Sequence, residues 1–583
     1  MKKFLTAAAF LVASLGVNAQ NLIASFSPLH DEEQKKLGLS NNIIGSNKDH
    51  IYVESLEYKA ILRGKFYAKS VKVKIIKKSD LTTSKIVEIY SKSKPEDKPY
   101  FIFSYKVASD RIFVFYRERK TKEFKAIYGR TFDLDWNPTS TIKELYKFPN
   151  LKEFRQTDFL FSYNTNATKI LVGAEFPAKQ GGSPYVDYKI LDEKFEQINN
   201  GKFEMPVKIT GKRANTSNSK FSMTGDGNIF FTTTISMTDD EKKEKQKGED
   251  TYYTNISVVK SETGDIKTTP VKFSGKNIFY TRMLFNDNET KIIGFYSDLE
   301  DDKTGDKISG IFTAVVNMND LSLTKSDFKR FTKEDILALE GYDLTKKRDA
   351  KAAKKITDGN AALSSSLIIE NFETDDKGNI FLFCNNLYNY QRTVCSGSGA
   401  RRTCTTYYYC EKSQTYIFKI LSSGELAYAK RFPRLHTYDR YSVYDQKVFE
   451  ANNKFYVTYM TDFDHDSASM GLKKSKKPRV SRNEKLEYLV VDATTDKIER
   501  KFLNFNSPDA KKSRRKYIIP EALTTVGDEW YGVQTDYYTP AGIQVMNTVL
   551  SLGTIGLYYF IGRPMVKRAT WKSKTEYVRV FAN

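Results

Sequence analysis

The stretch 221–234, FSMTGDGNIFFTTT, decides how the rest of the chain is read. An aromatic residue opens a short apolar run. Gly225, Asp226, Gly227 and Asn228 then form a tight turn, because glycine and asparagine accept positive φ at little cost. An apolar and β-branched run leaves the turn as a second strand. The same cassette returns as FSYKVASDRIFVFY (103–116), FSYNTNATKILVGA (161–174), LFNDNETKIIGFY (284–296) and FETDDKGNIFLFCN (372–385). Looser copies stand at 43–55, 449–459 and 523–533.

A second hairpin follows most copies, as in ISVVKSETGDIKTTPVKF (256–273), YIFKILSSGELAYAKRF (416–432) and EYLVVDATTDKIERKF (487–502). Recurrence of this kind marks a repeat architecture. Two hairpins per repeat make four strands, the content of one propeller blade. A single such sheet cannot bury both of its faces, so the sheets must stack on one another. The expected fold is all-β: a β-propeller of about eight four-stranded blades, with seven as the alternative count. Two or three unrelated β-sandwiches with similar turns are the competing architecture. The turns DDKGNIF (375–381) and TGDGNIF (224–230) resemble the D-x-x-G-N-[IV] blade turns of exported bacterial propeller proteins. That resemblance covers most of the chain and implies a fold rather than an activity.

The opening MKKFLTAAAFLVASLGVNAQ has a basic start, an apolar core and a small-residue site at Val17-Asn18-Ala19. It reads as a secretory signal peptide spanning 1–19, with 20–583 as the propeller. No cysteine follows the cut, which argues against a lipid anchor. The expected location is the periplasm, outer surface or exterior of a Gram-negative bacterium. Helical patterning is scarce. Its main exception is 332–356, read as a helical insertion between blades, with Thr332 as cap and Glu334 and Asp335 in the first turn. Charged runs at 239–250, 299–307, 472–482 and 509–516 read as solvated loops.

The formal charge is +22, or +20 without Lys2 and Lys3. This favours anionic partners. Helix-turn-helix, zinc-finger and RNP patterns are missing, so specific nucleic-acid binding is not expected.

Four cysteines fall close together: Cys384, Cys395, Cys404 and Cys410. Their spacings are wide for zinc, and export favours disulfides. Cys395 and Cys404 flank a Gly/Ser tip and are expected to pair across it. The second expected pair is Cys384–Cys410. The adjacent TTYYYC (405–410) sets three tyrosines on this loop. Asp462, Asp464 and Asp466 alternate like the start of a calcium loop, but the later glycine and acidic ligand are absent, so they read as a solvated turn and only a weak metal candidate. His30, His50, His436 and His465 form no motif, no phosphate-binding or hydrolase signature occurs, and no cofactor is expected.

The run from Tyr537 to Gly562 carries no charge and is followed by Arg563, Lys567 and Arg568. One reading is a membrane anchor, which strands 571–581 on the far side. The favoured reading folds it with the last blade and uses the tail as a strand. The function these features point to is an exported cell-envelope binding or scaffold protein that recognises a protein or an anionic glycan with a propeller face. The alternative is a hydrolase or lyase with a site in the central funnel.

Overall fold

The computed structural model describes residues 22–538 and 572–582, apart from intervening segments of which the longest are 33–38, 92–99, 150–157, 208–216, 237–251, 301–306, 351–362, 397–402, 440–445, 461–485 and 504–522. The described residues form eight antiparallel sheets, each a meander of four consecutive strands except the last. The fold is an eight-bladed β-propeller, and all eight cassettes fall on the hairpin joining the first two strands of a blade. The chain divides into two compact units. Residues 98–440 hold five blades, at 100–149, 158–204, 217–271, 276–330 and 367–439. Residues 1–97 with 441–583 hold three, at 39–91, 447–503 and 523–582.

The turn chemistry explains the hairpins. In the D-x-x-G-N turn, Asp375 Oδ1 accepts from the backbone N–H groups of Lys377 (3.0 Å) and Asn379 (2.8 Å). Gly378 takes φ +75° and closes a hydrogen bond to Asp375 O. The asparagine has a second task. Asn379 Oδ1 accepts from Ser422 N (3.0 Å), tying the first hairpin of the blade to its second. Asn228 does the same with Ser261 N (3.2 Å).

Other turns keep this geometry without glycine. Every described non-glycine residue with positive φ lies in such a turn: Leu81, Trp136, Ala167, Phe195, Leu321, Asn452, Asn453 and Asp496. Five of these are apolar and buried. A left-handed residue costs roughly 1–2 kcal/mol, and here burial offsets it. Phe195 packs its ring against Phe113 (5.8 Å) and Phe115 (6.0 Å) of the preceding blade. Gly129 leaves the room, since a Cβ there would meet Phe195 Cζ at 2.8 Å. Leu321 likewise enters the core that Phe230, Ile256 and Val271 build in the blade before it, and its carbonyl accepts from Thr269 Oγ1 at 2.9 Å. In the three-blade unit, Leu81 sits with Ile51, Val53, Tyr531 and Tyr577.

The last blade is completed by the chain's other end. Leu22–Phe26 pairs antiparallel with Lys572–Ala582, setting Phe26 opposite Val578. The strand near Ile51 belongs to the blade at 39–91 and meets the last blade through side chains, Ile51 sharing a core with Tyr577. Within the last blade the Glu529 carboxylate accepts from Tyr531 Oη (2.6 Å) and from Arg579 Nε (2.9 Å), with Arg579 Nη2 on its other oxygen. Burial would raise the Glu529 pKa, but the hydrogen bonds from Arg579 and Tyr531 outweigh it and hold the group below the ordinary glutamate value.

Within the insertion a helix spans Lys333–Glu340, and Lys347 and Ala350 are again helical. Thr332 and Asp335 form a reciprocal cap at its start, and Gly341 (φ 67°) ends it by donating to Leu337 O. Residues 351–356 lie outside the described residues. The tail is a strand of the last blade, as the favoured reading of 537–562 has it and the anchor alternative does not: Lys572–Ala582 pairs along its length with Glu529–Tyr538, so both flanks lie in one sheet. Residues 539–562 themselves lie outside the described residues. No helix among the described residues is long and apolar enough to cross a membrane. The leader 1–19 is also outside.

Two predictions follow from these contacts. Phe195→Ala should destabilise by about 3–5 kcal/mol. Phe195→Gly should cost about 1 kcal/mol less although it removes more of the side chain, because it releases the left-handed strain. Equal urea midpoints for the two variants would contradict the account. For Glu529, a depressed folded pKa gives stability that is present above the unfolded value of about 4.3 and is lost as pH falls through the folded value. The stability gap between wild type and Glu529→Gln, read from urea melts, should therefore be full at neutral pH and shrink below about pH 4.

Candidate functional site

In each unit the two ends of the blades are built differently. The turns joining first to second and third to fourth strands span two to ten residues and lie at one end. The connections from second to third strand, and those between blades, leave from the opposite end. There they reach 15 residues (237–251), 25 (461–485) and 33 (539–571), and the helix Lys333–Glu340 stands in one of them. The strands that flank the charged runs, the aspartate triplet, the uncharged run and the cysteine loop therefore all end at the open end of their blades.

The most developed feature of the five-blade unit is an arm on the blade at 367–439. Its second and third strands are Ile380–Ser396 and Thr403–Ile420, of 17 and 18 residues, against 6–10 in the other blades of that unit. The inner strand Leu367–Thr374 stops at the pair Leu367↔Asn386. Residues 387–396 run on beyond it for about 33 Å at 3.3 Å per residue. The outer strand Leu426–Asp439 follows as far as Tyr409↔Asp439, leaving a two-stranded tip.

The tip is held by paired chemistry. Cys395 and Cys404 stand opposite each other and form a disulfide with Cα atoms 4.0 Å apart. Two residues below, the Thr393 and Thr406 hydroxyls hydrogen-bond at 2.9 Å. Next to them Val394 is 46% exposed and Tyr407 45% exposed, large apolar surface on a projecting ribbon. In the register Arg392 stands opposite Tyr407, and Tyr390 opposite Tyr409.

The arm rises from a rigid base. Thr415 Oγ1 donates to Asn385 Oδ1 (3.0 Å), both fully buried. Tyr416 stands opposite Arg431, and burial pushes the Tyr416 pKa up to about 12. Arg431 Nε donates to Gln414 Oε1, while its guanidinium fills the space beside Gly341 that a Cβ would need. The helix has no basic residue of its own in its last turn, and Arg431 places a cation at that carboxyl end, where it is favoured.

The second expected disulfide does not form. Cys384 is a free, fully buried thiol standing opposite Tyr416, whereas Cys410 stands opposite Asn389, five positions along the strand. At strand rise that offset is about 17 Å, beyond the reach of a disulfide. Burial, reinforced by Glu370 and opposed by Arg282, raises the Cys384 pKa well above the ordinary thiol value, so it stays protonated and inert. Asp462, Asp464 and Asp466 lie outside the described residues. Among the described residues no three histidine, cysteine or acidic groups are placed to hold a metal ion. The buried Glu487 carboxylate is held inside its own blade by Arg500 Nε (2.5 Å) and Tyr459 Oη (2.8 Å).

Sequence reading located the cysteine pair and the tyrosines but not the length of the arm. The available sign was that neither 380–396 nor 403–420 contains a glycine or proline.

No protein-family model matches the chain, and no curated protein matches it. Among solved structures it is similar to the WD40 domain of SCAP from fission yeast, with 7% identity, coverage of 83% of this chain and 90% of that one, and a TM-score of 0.31. Prolyl oligopeptidase B from Galerina marginata gives 8% identity, 89% and 54% coverage and a TM-score of 0.33, so the match spans about half of that enzyme. Drosophila Plexin A, in complex with Semaphorin 1b, gives 10% identity, 75% and 85% coverage and a TM-score of 0.26. Likenesses this distant carry no assignment of activity.

The cysteine chemistry is testable directly. Under native oxidising conditions Cys384 should resist alkylation up to about pH 9 and react once the chain is unfolded. The Cys395→Ser/Cys404→Ser variant should weaken the tip by roughly 2–3 kcal/mol, seen as faster amide exchange in 391–408 with little change in the blades. Peptide mapping that recovered Cys384 in a disulfide would refute the assignment.

Proposed function

We propose that this chain is an exported binding protein of the cell envelope that recognises a partner protein with the open end of its propeller, the arm at 387–412 being the main contact. One observation carries the reading: a ribbon projecting about 33 Å, pinned at its tip, that exposes Val394 and Tyr407. Leaving apolar and aromatic surface exposed on a pinned element is unfavourable unless a partner covers it. A narrow projecting ribbon suits a protein partner better than a small ligand, which is taken in concave sites. Export fits the leader-like start of the sequence and the disulfide, since such bonds persist in oxidising compartments.

The test compares proteins captured from envelope extracts by the wild type and by Val394→Ser/Tyr407→Ala. The variant should melt at the wild-type temperature and lose the specific partner, with a loss of affinity of about tenfold or more. Capture of the same set by both proteins would remove the arm from the function.

A further inference from the structure

The arm carries an open strand edge as well as exposed side chains. Among the described residues, 387–396 has no strand on the side away from Thr403–Ile420, because Leu367–Thr374 ends opposite Asn386. Ten residues of open edge exceed the length of a typical whole strand, about five to six residues.

The disulfide reveals which backbone groups face outward. In an antiparallel ladder, opposed residues alternate between hydrogen-bonded pairs with Cα atoms near 5.5 Å and non-hydrogen-bonded pairs near 4.5 Å. Cys395 and Cys404, at 4.0 Å, are of the second kind. The register runs without a shift from Leu387 to Ser396, so Asn389, Gln391 and Thr393 are of that kind too. The N–H and C=O groups of Asn389, Gln391, Thr393 and Cys395 therefore point to the open edge. Those of Tyr390, Arg392 and Val394 bond to the neighbouring strand.

Proteins protect long edges with proline, lysine, bulges or inward charges. Between Leu387 and Ser396 there is no proline, no lysine and no bulge, and the one charged residue is Arg392. The edge is thus a template for an incoming strand, bounded by a disulfide at one end and the blade at the other. We infer that residues 387–396 accept an extended, acidic polypeptide segment as an added β-strand, with the backbone of Asn389, Gln391, Thr393 and Cys395 supplying the ladder. The acidic character follows from charge complementarity: the edge carries a cation and no acid, and the chain as a whole stands at +22. This rests on the reading of the arm as the contact site and adds how it binds.

The test uses the full oxidised chain and a capped ten-residue peptide alternating glutamate with valine and threonine. The peptide should bind at millimolar concentration or below and slow amide exchange at Asn389, Gln391, Thr393 and Cys395. A lysine-for-glutamate version should bind about tenfold more weakly. N-methylation of every second peptide residue should abolish binding in one phase and spare it in the other, since only alternate N–H groups face the arm. Gln391→Pro removes an outward N–H without touching the internal ladder and should weaken binding about tenfold or more. Failure of the acidic peptide to bind, equal binding of both N-methylated phases, or unchanged binding to Gln391→Pro overturns the proposal. So does protection of those four amides before peptide is added, which would mean that the edge is already filled by this chain or by a second copy. If partner capture is lost in Val394→Ser/Tyr407→Ala but kept in Gln391→Pro, the contact site stands and strand addition falls.

Discussion

The structure depends on filling the seams between adjacent sheets. A blade of four strands has two apolar faces and no interior of its own, so its stability comes from what enters the gap on either side. Within each unit, much of that filling comes from the turns. Phe195, Leu321 and Leu81 each take the left-handed conformation, which swings a large side chain out of its own hairpin into the neighbouring core. The strain of an unfavourable φ is coupled to burial of an apolar group, and Gly129 has given up its side chain to make the space. Edge-to-face aromatic contacts complete the seams, as between Phe103 and Phe161 (5.2 Å) or Phe449 and Trp530 (4.1 Å).

This constraint explains what was legible beforehand. The D-x-x-G-N turn was visible because its residues are chosen by local backbone needs: aspartate to accept two amides, glycine for positive φ, asparagine to reach the second hairpin. The turn at Phe195 has the same geometry but was hidden, because an aromatic residue at a glycine position makes sense there only once the neighbouring blade with Phe113 and Phe115 is known. The cysteines divide in the same way. Cys395 and Cys404 were readable because a short loop forces their register. Cys384 and Cys410 are close in sequence, but strand register sets them five positions apart. The helix is legible at its start, where Thr332 and Asp335 satisfy each other, while its end at Gly341 meets Arg431, about 90 residues further on and out of reach of local reading. The arm was missed because its signal is the absence of any chain-breaking residue over two runs of 17 and 18.

The two ends of the blades also divide structural from functional demands. At the tight end, the turns are short, and residues such as Phe195, Leu321 and Leu81 are committed to a neighbouring core. At the open end the connections are longer, up to the 36 residues of 331–366, whose helix adds Ile336 and Leu339 to the core. Length varies most there, and the pinned arm on its Asn385–Thr415 and Tyr416–Arg431 base is the clearest case.

The pairing of Leu22–Phe26 with Lys572–Ala582 has a kinetic consequence. Leu22 stands opposite Ala582, 560 positions away along the chain. Loop closure over such a length carries an entropic barrier, and contacts of this separation form late. The interior blades are sequentially local and can fold as soon as a neighbouring blade is there to pack against. The last sheet must wait until Lys572–Ala582 has been made and has met Leu22–Phe26. Joining the ends therefore acts as the final, slow latch on an otherwise quickly assembled molecule.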